Sequence, residues 1–499
     1  MNRSNDFDAL LNRYVDGTAT ETEVSRLNEL LRTDPAARCK YAELMNLDSA
    51  LADAAANWAA EKEWTEPPPM EAKRRTPQKI AFPKLIRWLA VAVGVAAVGG
   101  GAWWWRTTPV AFATVASEVG AVGLSRGTTL RRETTELKVG SVELITSRGA
   151  RVVIEAPAAF QFESEKRLRV MHGRVAAHVP PSAKGFTVVT PSGSAVDLGT
   201  DFGVDVSRRG AAEIHVFSGE VIAQSSGGGA RQNLRDGEAF ALQRGAGAPR
   251  EMRSAAFIRP EEMAELSTGL VSGQRTRSDA AAGNLRRDPA LIALLNFESA
   301  EKPEGTYRTV QGRWPGSHAP EFGNVGDHMK IDVGGEHAWP QFSMAAWVRI
   351  DRLGAPYQSL YHTDGWFAGD KPGQVHWMIN QDMTMRLALR DNTLPPDTDD
   401  RHNFPDSRTS VLPEQGRWMH LAVVYDSAAR TVRFYLNGKF DKESRQEIAL
   451  PARFGPAQIG NWDSHDRKLS GRVDELLILG RAMSDDEVRA LFEAGNPYR

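Results

Sequence analysis

The sequence predicts a multidomain chain: a small α-helical segment, one transmembrane helix, and two all-β domains behind it. Three observations carry this. Trp88 to Trp105 contains no charged residue, the hydrophobic period ahead of that stretch is helical, and behind it the period becomes two.

The uncharged stretch, WLAVAVGVAAVGGGAWWW, is 18 residues long. As a helix it covers roughly 27 Å, close to a hydrocarbon core of ~30 Å, and Leu85 and Ile86 extend it, giving a predicted span of 85–106. Lys73, Arg74, Arg75, Lys79, Lys84 and Arg87 precede it, whereas Arg106 alone follows closely, so the N-terminal side is expected in the cytoplasm. Arg87 and Trp88 at one end and Trp103, Trp104 and Trp105 at the other are the expected membrane anchors. A buried core helix would have to pack three consecutive tryptophans. A signal peptide ending at Ala111-Phe112-Ala113 would need an n-region running from Met1 to Arg87, far beyond the ordinary length.

Composition narrows the classes. A chain of 499 residues, 41% hydrophobic and 25% charged, predicts about three domains of ordinary globular character. The net charge of -2 offers no global basic field, which argues against nucleic acid as a partner. Cys39 is the single cysteine and precedes the apolar stretch, so the domains behind it are expected to fold without disulfides.

Residues 1–65 read as three short helices. Asp6 caps the first, which carries Leu10, Leu11 and Tyr14 and stops at Asp16-Gly17. Thr20 and Glu23 form a capping box for the second, with Val24, Leu27, Leu30 and Leu31 on one stripe, and Pro35 opens the third. A proline-rich basic linker, 66–84, follows. The run LLNRYVDGTATETEVSRLNELLRTDPAARCKYAELMNLDSAL resembles the N-terminal helical region of membrane-bound anti-sigma regulators. The resemblance implies a sigma factor as cytosolic partner. No histidine precedes His172, so the His/Cys set of zinc-containing anti-sigma domains is missing and such a clamp would be metal-free. A helical stub that only docks or oligomerises is the alternative.

Residues 110–245 alternate: Val142 and Leu144, Val152 and Ile154, Leu168 and Val170 fall on one face of successive strands. Turns are expected at Ser147-Arg148-Gly149, Glu165-Lys166, His172-Gly173, Pro180-Pro181, Pro191-Ser192-Gly193 and Ser218-Gly219, with a loop tip at Gly227-Gly228-Gly229. The tokens Gly173-Arg174-Val175, Thr190-Pro191, Gly199-Thr200-x-Phe202-x-Val204 and Val216-x-x-Gly219-x-Val221 are similar to the FecR domain of bacterial transmembrane signalling regulators. That resemblance implies a periplasmic relay beyond a cell inner membrane, with the N-terminus cytoplasmic. Gly199 and Gly203 are read as bulge or close-approach positions. Asp197, Asp201 and Asp205, spaced by four, share a strand face only where no bulge intervenes.

Residues 246–289, rich in Gly, Ala, Ser and Arg, read as a spacer with a helical piece at PEEMAELSTGL and solvated arginines Arg275, Arg277, Arg286 and Arg287. Residues 290–495 return to strands, with an Asn437-Gly438 hairpin and a closing helix capped by Ser484 and Glu487. The run FSMAAWV, the segment Trp418-x-His420-Leu421-Ala422-Val423-Val424-Tyr425-Asp426, Phe434-Tyr435-Leu436-Asn437-Gly438, and Gly471-x-Val473-Asp474-Glu475 leading to Arg481-Ala482-Met483-Ser484 look like a LamG-type, concanavalin-like jelly roll. The family implies a two-sheet sandwich that binds glycan or protein, in some members with calcium. Trp347, Trp418, Tyr425 and Phe434 sit inside strands and read as core. Trp366 and Phe367, in the looser HTDGWFAGD, are the candidates for stacking on a sugar ring.

No cofactor is expected, and the chain is not expected to be an enzyme. The Glu-x-Asp-x-x-Glu strand of jelly-roll glucanases is missing. Asp474 and Glu475 are adjacent, so a regular strand points them to opposite faces, and Asp474 reads as an acceptor for loop amides. The leading expectation is therefore a single-pass signalling regulator with an exported glycan- or protein-binding jelly roll. The rival is a membrane-anchored carbohydrate-binding or adhesion protein with no transcriptional role.

Overall fold

The computed structural model describes Thr20 and residues 111–498, apart from residues 230, 300, 354–355, 365–370, 392–403, 447–449 and 462–466. The helical segment 1–65, the linker 66–84 and the span 85–106 with Arg87, Trp88, Trp103, Trp104 and Trp105 lie outside the described residues, as do Trp366 and Phe367. Among the described residues, no helix is long and apolar enough to cross a membrane.

The first β unit opens with β1 (Ala113–Val119), β2 (Thr129–Leu130), β3 (Thr134–Leu137) and β4 (Ser141–Thr146). A long hairpin follows, β5 (Arg151–Ser164) and β6 (Arg167–His178), then β7 (Thr187–Thr190), β8 (Gly193–Asp197) and β9 (Asp201–Val206). The unit finishes with β10 (Ala212–Ser218), β11 (Glu220–Ser225), β12 (Arg231–Arg235), β13 (Ala239–Gln243) and β14 (Ala246–Arg250). The backbone path runs β12-β11-β8-β7-β6-β5-β4-β1-β2, and the other strands branch from it.

The long hairpin explains how one ladder wraps a core. The first half of β5 pairs with β4 and its second half with β3, while β6 pairs with β7 through Arg167–Arg169 and with β9 through Gly173–His178. The expected turn at His172-Gly173 is therefore replaced by continuous strand. Gly173 has φ +118° and faces Ala158 so closely that a Cβ would lie 2.4 Å from the Ala158 Cβ, so glycine lets the strand pass an irregular stretch of its partner. The alternating residues fill the interior as expected: Val142, Leu144, Val152, Ile154, Leu168 and Val170 are buried together with Phe160, Phe202 and Ile214. Each such side chain is worth about 1.5–3 kcal/mol of burial.

The stretch expected as a spacer is ordered throughout most of its length. Its first residues form β14, which pairs with β13. Two helices follow, α1 (Pro260–Val271) and α2 (Gln274–Leu285). Proline at N1 and Glu261 and Glu262 in the first turn suit the start of α1. Its Met263, Leu266 and Leu270 pack on Val119 and Val153 of the first β unit. The α2 sequence QRTRSDAAAGNL has no apolar stripe, and its buried residues are Gln274 and Ser278. Arg275 is not simply solvated: it donates to the Pro315 carbonyl.

The second β unit contains β15 (Leu291–Leu295), β16 (Gly305–Thr306), β17 (Arg308–Gln311), β18 (His318–Phe322) and β19 (His328–Ile331). Next come β20 (Gln341–Ile350), β21 (Gln358–Thr363), β22 (Gln374–Ile379) and β23 (Met385–Arg390). The last strands are β24 (Trp418–Asp426), β25 (Thr431–Leu436), β26 (Lys439–Arg445), β27 (Ala457–Ile459) and β28 (Gly471–Leu479), and α3 (Asp485–Gly495) closes the chain. One sheet has the order β17-β18-β28-β20-β24-β25-β26 with β15 on β28, and the other β16-β19-β27-β21-β22-β23.

The two sheets enclose one core. On β20, Phe342, Met344, Ala346, Val348 and Ile350 point inward, while Ala345 and Trp347 pack on the opposite side, with Val488 and Phe492 of α3. Trp347, Trp418, Tyr425 and Phe434 are buried as expected. Asn437 and Gly438 both have positive φ, as a type I′ turn requires, and Ser484 and Glu487 form the capping box.

One expectation fails here for a clear reason. Asp474 and Glu475 do not diverge to opposite faces. Glu475 has φ +56°, the ladder to β20 slips between Ala345 and Trp347, and the inward set changes from Val473 to Leu476 and Ile478. This bulge turns both carboxylates toward Arg313: Asp474 accepts the Arg313 backbone N–H at 2.8 Å, and the Arg313 Nη2 donates to Glu475 at 2.7 Å. The Asp474 role as acceptor of a loop amide holds. Burial pushes its carboxyl up to about 6.

Candidate functional site

The two β units meet across a buried layer of arginines and carboxylates. Arg174 leaves β6 between Gly173 and Val175, and Arg472 leaves β28 between Gly471 and Val473, so each is an ion carried by an apolar strand. Arg174 donates from Nη2 to Asp205 of β9 at 2.9 Å and, across the boundary, to Glu321 of β18 at 2.7 Å. Arg472 answers in the other direction, gripping Glu155 of β5 with both Nη atoms at 2.5 and 3.2 Å. Arg308 of β17 takes both oxygens of Asp205, at 2.8 and 3.0 Å.

The segment joining the units is wedged into this layer. The carbonyl of Ala256 accepts from Arg174 at 3.2 Å and from Arg472 at 3.1 Å. Next to it, the Phe257 ring lies against His215 and Phe217, with centroids 5.3 Å apart in each pair. Gly203 faces that ring, and a Cβ there would come within 2.5 Å of it, which makes Gly203 a close-approach position as its sequence context predicted. Arg253 donates to Glu213 at 3.0 Å and lies 3.8 Å from Asp351. On α1, Glu262 accepts from Arg349 of β20 through both oxygens.

The electrostatics are those of a paired, largely buried layer whose edge, at Arg308, reaches the surface. Burial alone raises the Glu321 carboxyl, but Arg174, Arg308, Arg472 and Arg253 together hold it down to about 2. Asp205 is likewise held well below the carboxylate range against its burial by Arg308 and Arg174. Asp351 goes the other way: burial raises it, and the charge of Glu321 adds to that. Asp205 and Glu321 are thus ionised and pinned far from neutrality, an arrangement suited to holding two bodies together rather than to shuttling protons.

The three aspartates of the first unit separate rather than converge. Asp197 accepts from Gly199 N–H and from the Thr200 hydroxyl, Asp201 pairs with His178, and Asp205 belongs to the buried layer. Among the described residues, no group of three His, Cys, Asp or Glu side chains is placed to hold a metal ion.

On the six-stranded sheet, Val375, Trp377 and Ile379 face the core, which leaves His376 on the opposite face. The His376 ring lies 4.2 Å from that of His362, and Ser359 Oγ is 3.2 Å from its Nε2. Burial pushes the His362 imidazole down to about 3 and that of His376 well below its usual range, so both stay neutral.

The interface arginines were not singled out as site residues by sequence reasoning. A signal existed: Gly-Arg-Val occurs at the start of β28 and inside β6, with arginine where an alternating strand wants either an apolar or an exposed residue. Its partner, however, lies up to 317 positions away in the chain.

Two compact β units joined by a buried ionic layer define the class of protein: a tandem all-β chain. Family models place the halves. Residues 132–222 match the model described as FecR protein, and residues 323–489 match the one described as Concanavalin A-like lectin/glucanases superfamily. No curated protein matches the chain. Among solved structures, the botulinum neurotoxin serotype D binding domain is 9% identical with a TM-score of 0.32, covering 41% of this chain and 50% of its own. A putative carbohydrate binding protein from Bacteroides ovatus is 16% identical with a TM-score of 0.27, covering 34% and 46%. The chain thus spans about half the length of these structures, and overlap at this level carries no argument about a ligand.

Proposed function

We propose that this chain is a single-pass inner-membrane signalling regulator, with a cytoplasmic helical segment that antagonises a sigma factor and an exported FecR–jelly-roll body that reads a glycan or protein ligand. The supporting observation is the Arg174–Glu321 and Arg472–Glu155 layer. It fastens the concanavalin-like segment to the FecR segment, so a force or ligand acting on one is felt by the other without a flexible joint. The proposal has no catalytic step.

The test is affinity purification of the full-length chain from its native membranes, beside a chain lacking residues 1–65. A sigma factor recovered with the first and lost with the second supports the regulator. Its absence from both, with glycan binding retained, favours the adhesion protein instead.

A further inference from the structure

A cleft of about 1300 Å³ opens at the boundary between the two β units. Boundaries of this kind are common places for ligand sites. One wall comes from the FecR-like unit, including Lys138 and the β9–β10 turn; the other comes from the jelly-roll segment that follows β15.

Its charge is lopsided although the chain as a whole is slightly acidic. Arg208 and Arg209, at the tip of the β9–β10 turn, are exposed and have no ion pair among the described residues. Lys302, on the jelly-roll side of the cleft, donates to the Thr309 hydroxyl at 3.0 Å and makes no salt bridge among the described residues. Lys138 meets Glu136 only at 3.9 Å, with both side chains largely exposed, a contact of little worth. Against these cations stand two further carboxylates on the rim, Glu301 and Glu298, and the latter is already engaged by His318. Lys302 is offset by its neighbour Glu301, so the excess positive charge lies on the FecR-like lip, at Arg208, Arg209 and Lys138, and a cleft with such a lip draws in an anionic ligand.

The wall between the lips is aromatic. Tyr307 is half-buried, and its hydroxyl is tied to the Pro303 carbonyl at 2.9 Å, which fixes the ring. Phe297 is held at φ +56°, a left-handed conformation that a bulky residue rarely adopts, while it packs against the jelly-roll core. A fixed aromatic face suits the C–H face of a pyranose ring, and the arginines of the FecR-like lip suit carboxylates at the ring edge.

From this geometry we infer that the cleft binds an acidic glycan, a chain of uronate-type sugars, bridging the two β units. The inference deepens the proposed function by naming a ligand class and a place for it. It rests on that reading for the consequence of binding, not for binding itself.

The experiment uses the full chain in detergent and titrates it with polygalacturonate oligomers, maltodextrin oligomers of matched length, and polyglutamate. The variants are Arg208→Gln with Arg209→Gln, and Arg208→Lys with Arg209→Lys; these exposed side chains make no ion pair among the described residues, and unchanged melting confirms the fold. Polygalacturonate is expected to bind, more weakly as salt rises. The double glutamine variant should lose at least about tenfold in affinity, and the double lysine variant should keep most of it. Equal binding by the glutamine variant overturns the site, maltodextrin binding as well as polygalacturonate overturns the acidic requirement, and equal binding of polyglutamate overturns the glycan. Sigma-factor recovery from the same preparation reports separately on the regulator, so either idea can fail alone.

Discussion

Replacing Arg472 with alanine should uncouple the two β units. The guanidinium is 1% exposed, holds Glu155 through two hydrogen bonds, and also caps the Ala256 and Gln311 carbonyls. Without it, the one cation left beside Glu155 among the described residues is Arg174 at 3.7 Å, and a buried carboxylate loses most of its compensation. Removing one partner of a buried pair costs about 3–5 kcal/mol. For a folded body of roughly 390 residues the unfolding entropy is about 0.8 kcal/mol per kelvin, so a loss of about 4 kcal/mol lowers a shared transition by about 5 °C. Because the strongest lost contacts, those to Glu155 and the Ala256 carbonyl, cross the boundary, the calorimetric trace should also split, with one unit melting ahead of the other. Scanning calorimetry of the full chain and the Arg472→Ala variant reads both effects. A single transition displaced by less than about 1 °C would refute the reasoning, since it would mean that the layer contributes nothing to docking.

Acid should loosen the same boundary. The Glu321 and Asp205 carboxyls lie below their unfolded values of about 4.3 and 3.9, so their contribution is complete above those values and disappears as pH falls toward about 2. Small-angle scattering between pH 5 and pH 2 should therefore record an expansion that salt-matched samples at pH 5 do not show. Asp474 has the opposite sign: its carboxyl is raised to about 6, so its favourable share is present below its unfolded value near 3.9 and is lost as pH rises through 6. Asp474→Asn should remove a loss on the order of 3 kcal/mol between pH 4 and pH 7, visible as a flatter denaturant midpoint across that range. Gly203→Ala should cost about 1–3 kcal/mol by forcing its Cβ into the Phe257 ring, and protease nicking in the 251–259 segment should rise with it.

Much of the strand content was legible because its physics is local. Alternation at Val142 and Leu144, the Asn437-Gly438 turn and the Ser484 cap each depend on residues within a few positions of one another. The buried tryptophans Trp347 and Trp418 were readable for the same reason. What escaped depends on distant partners or on small geometric slips. The helix α2 has no apolar stripe and is buried through Gln274 and Ser278. The Asp474-Glu475 bulge reverses a face assignment that regular alternation demands. Arg174 and Arg472 are held by carboxylates from the other β unit, and no local pattern could name Glu321 or Glu155 as their counterions. Trp366 and Phe367 remain candidates from sequence alone, since they lie outside the described residues.

The central structural claim is that the FecR-like unit and the jelly roll move as one body. Spin labels at Val122→Cys and Leu412→Cys, both exposed and one on each unit, with Cys39→Ser to remove the native thiol, measure it directly. A double electron–electron resonance experiment on the full chain should give one narrow distance distribution that broadens in the Arg472→Ala variant. A broad or multimodal distribution in the otherwise native chain would contradict the account.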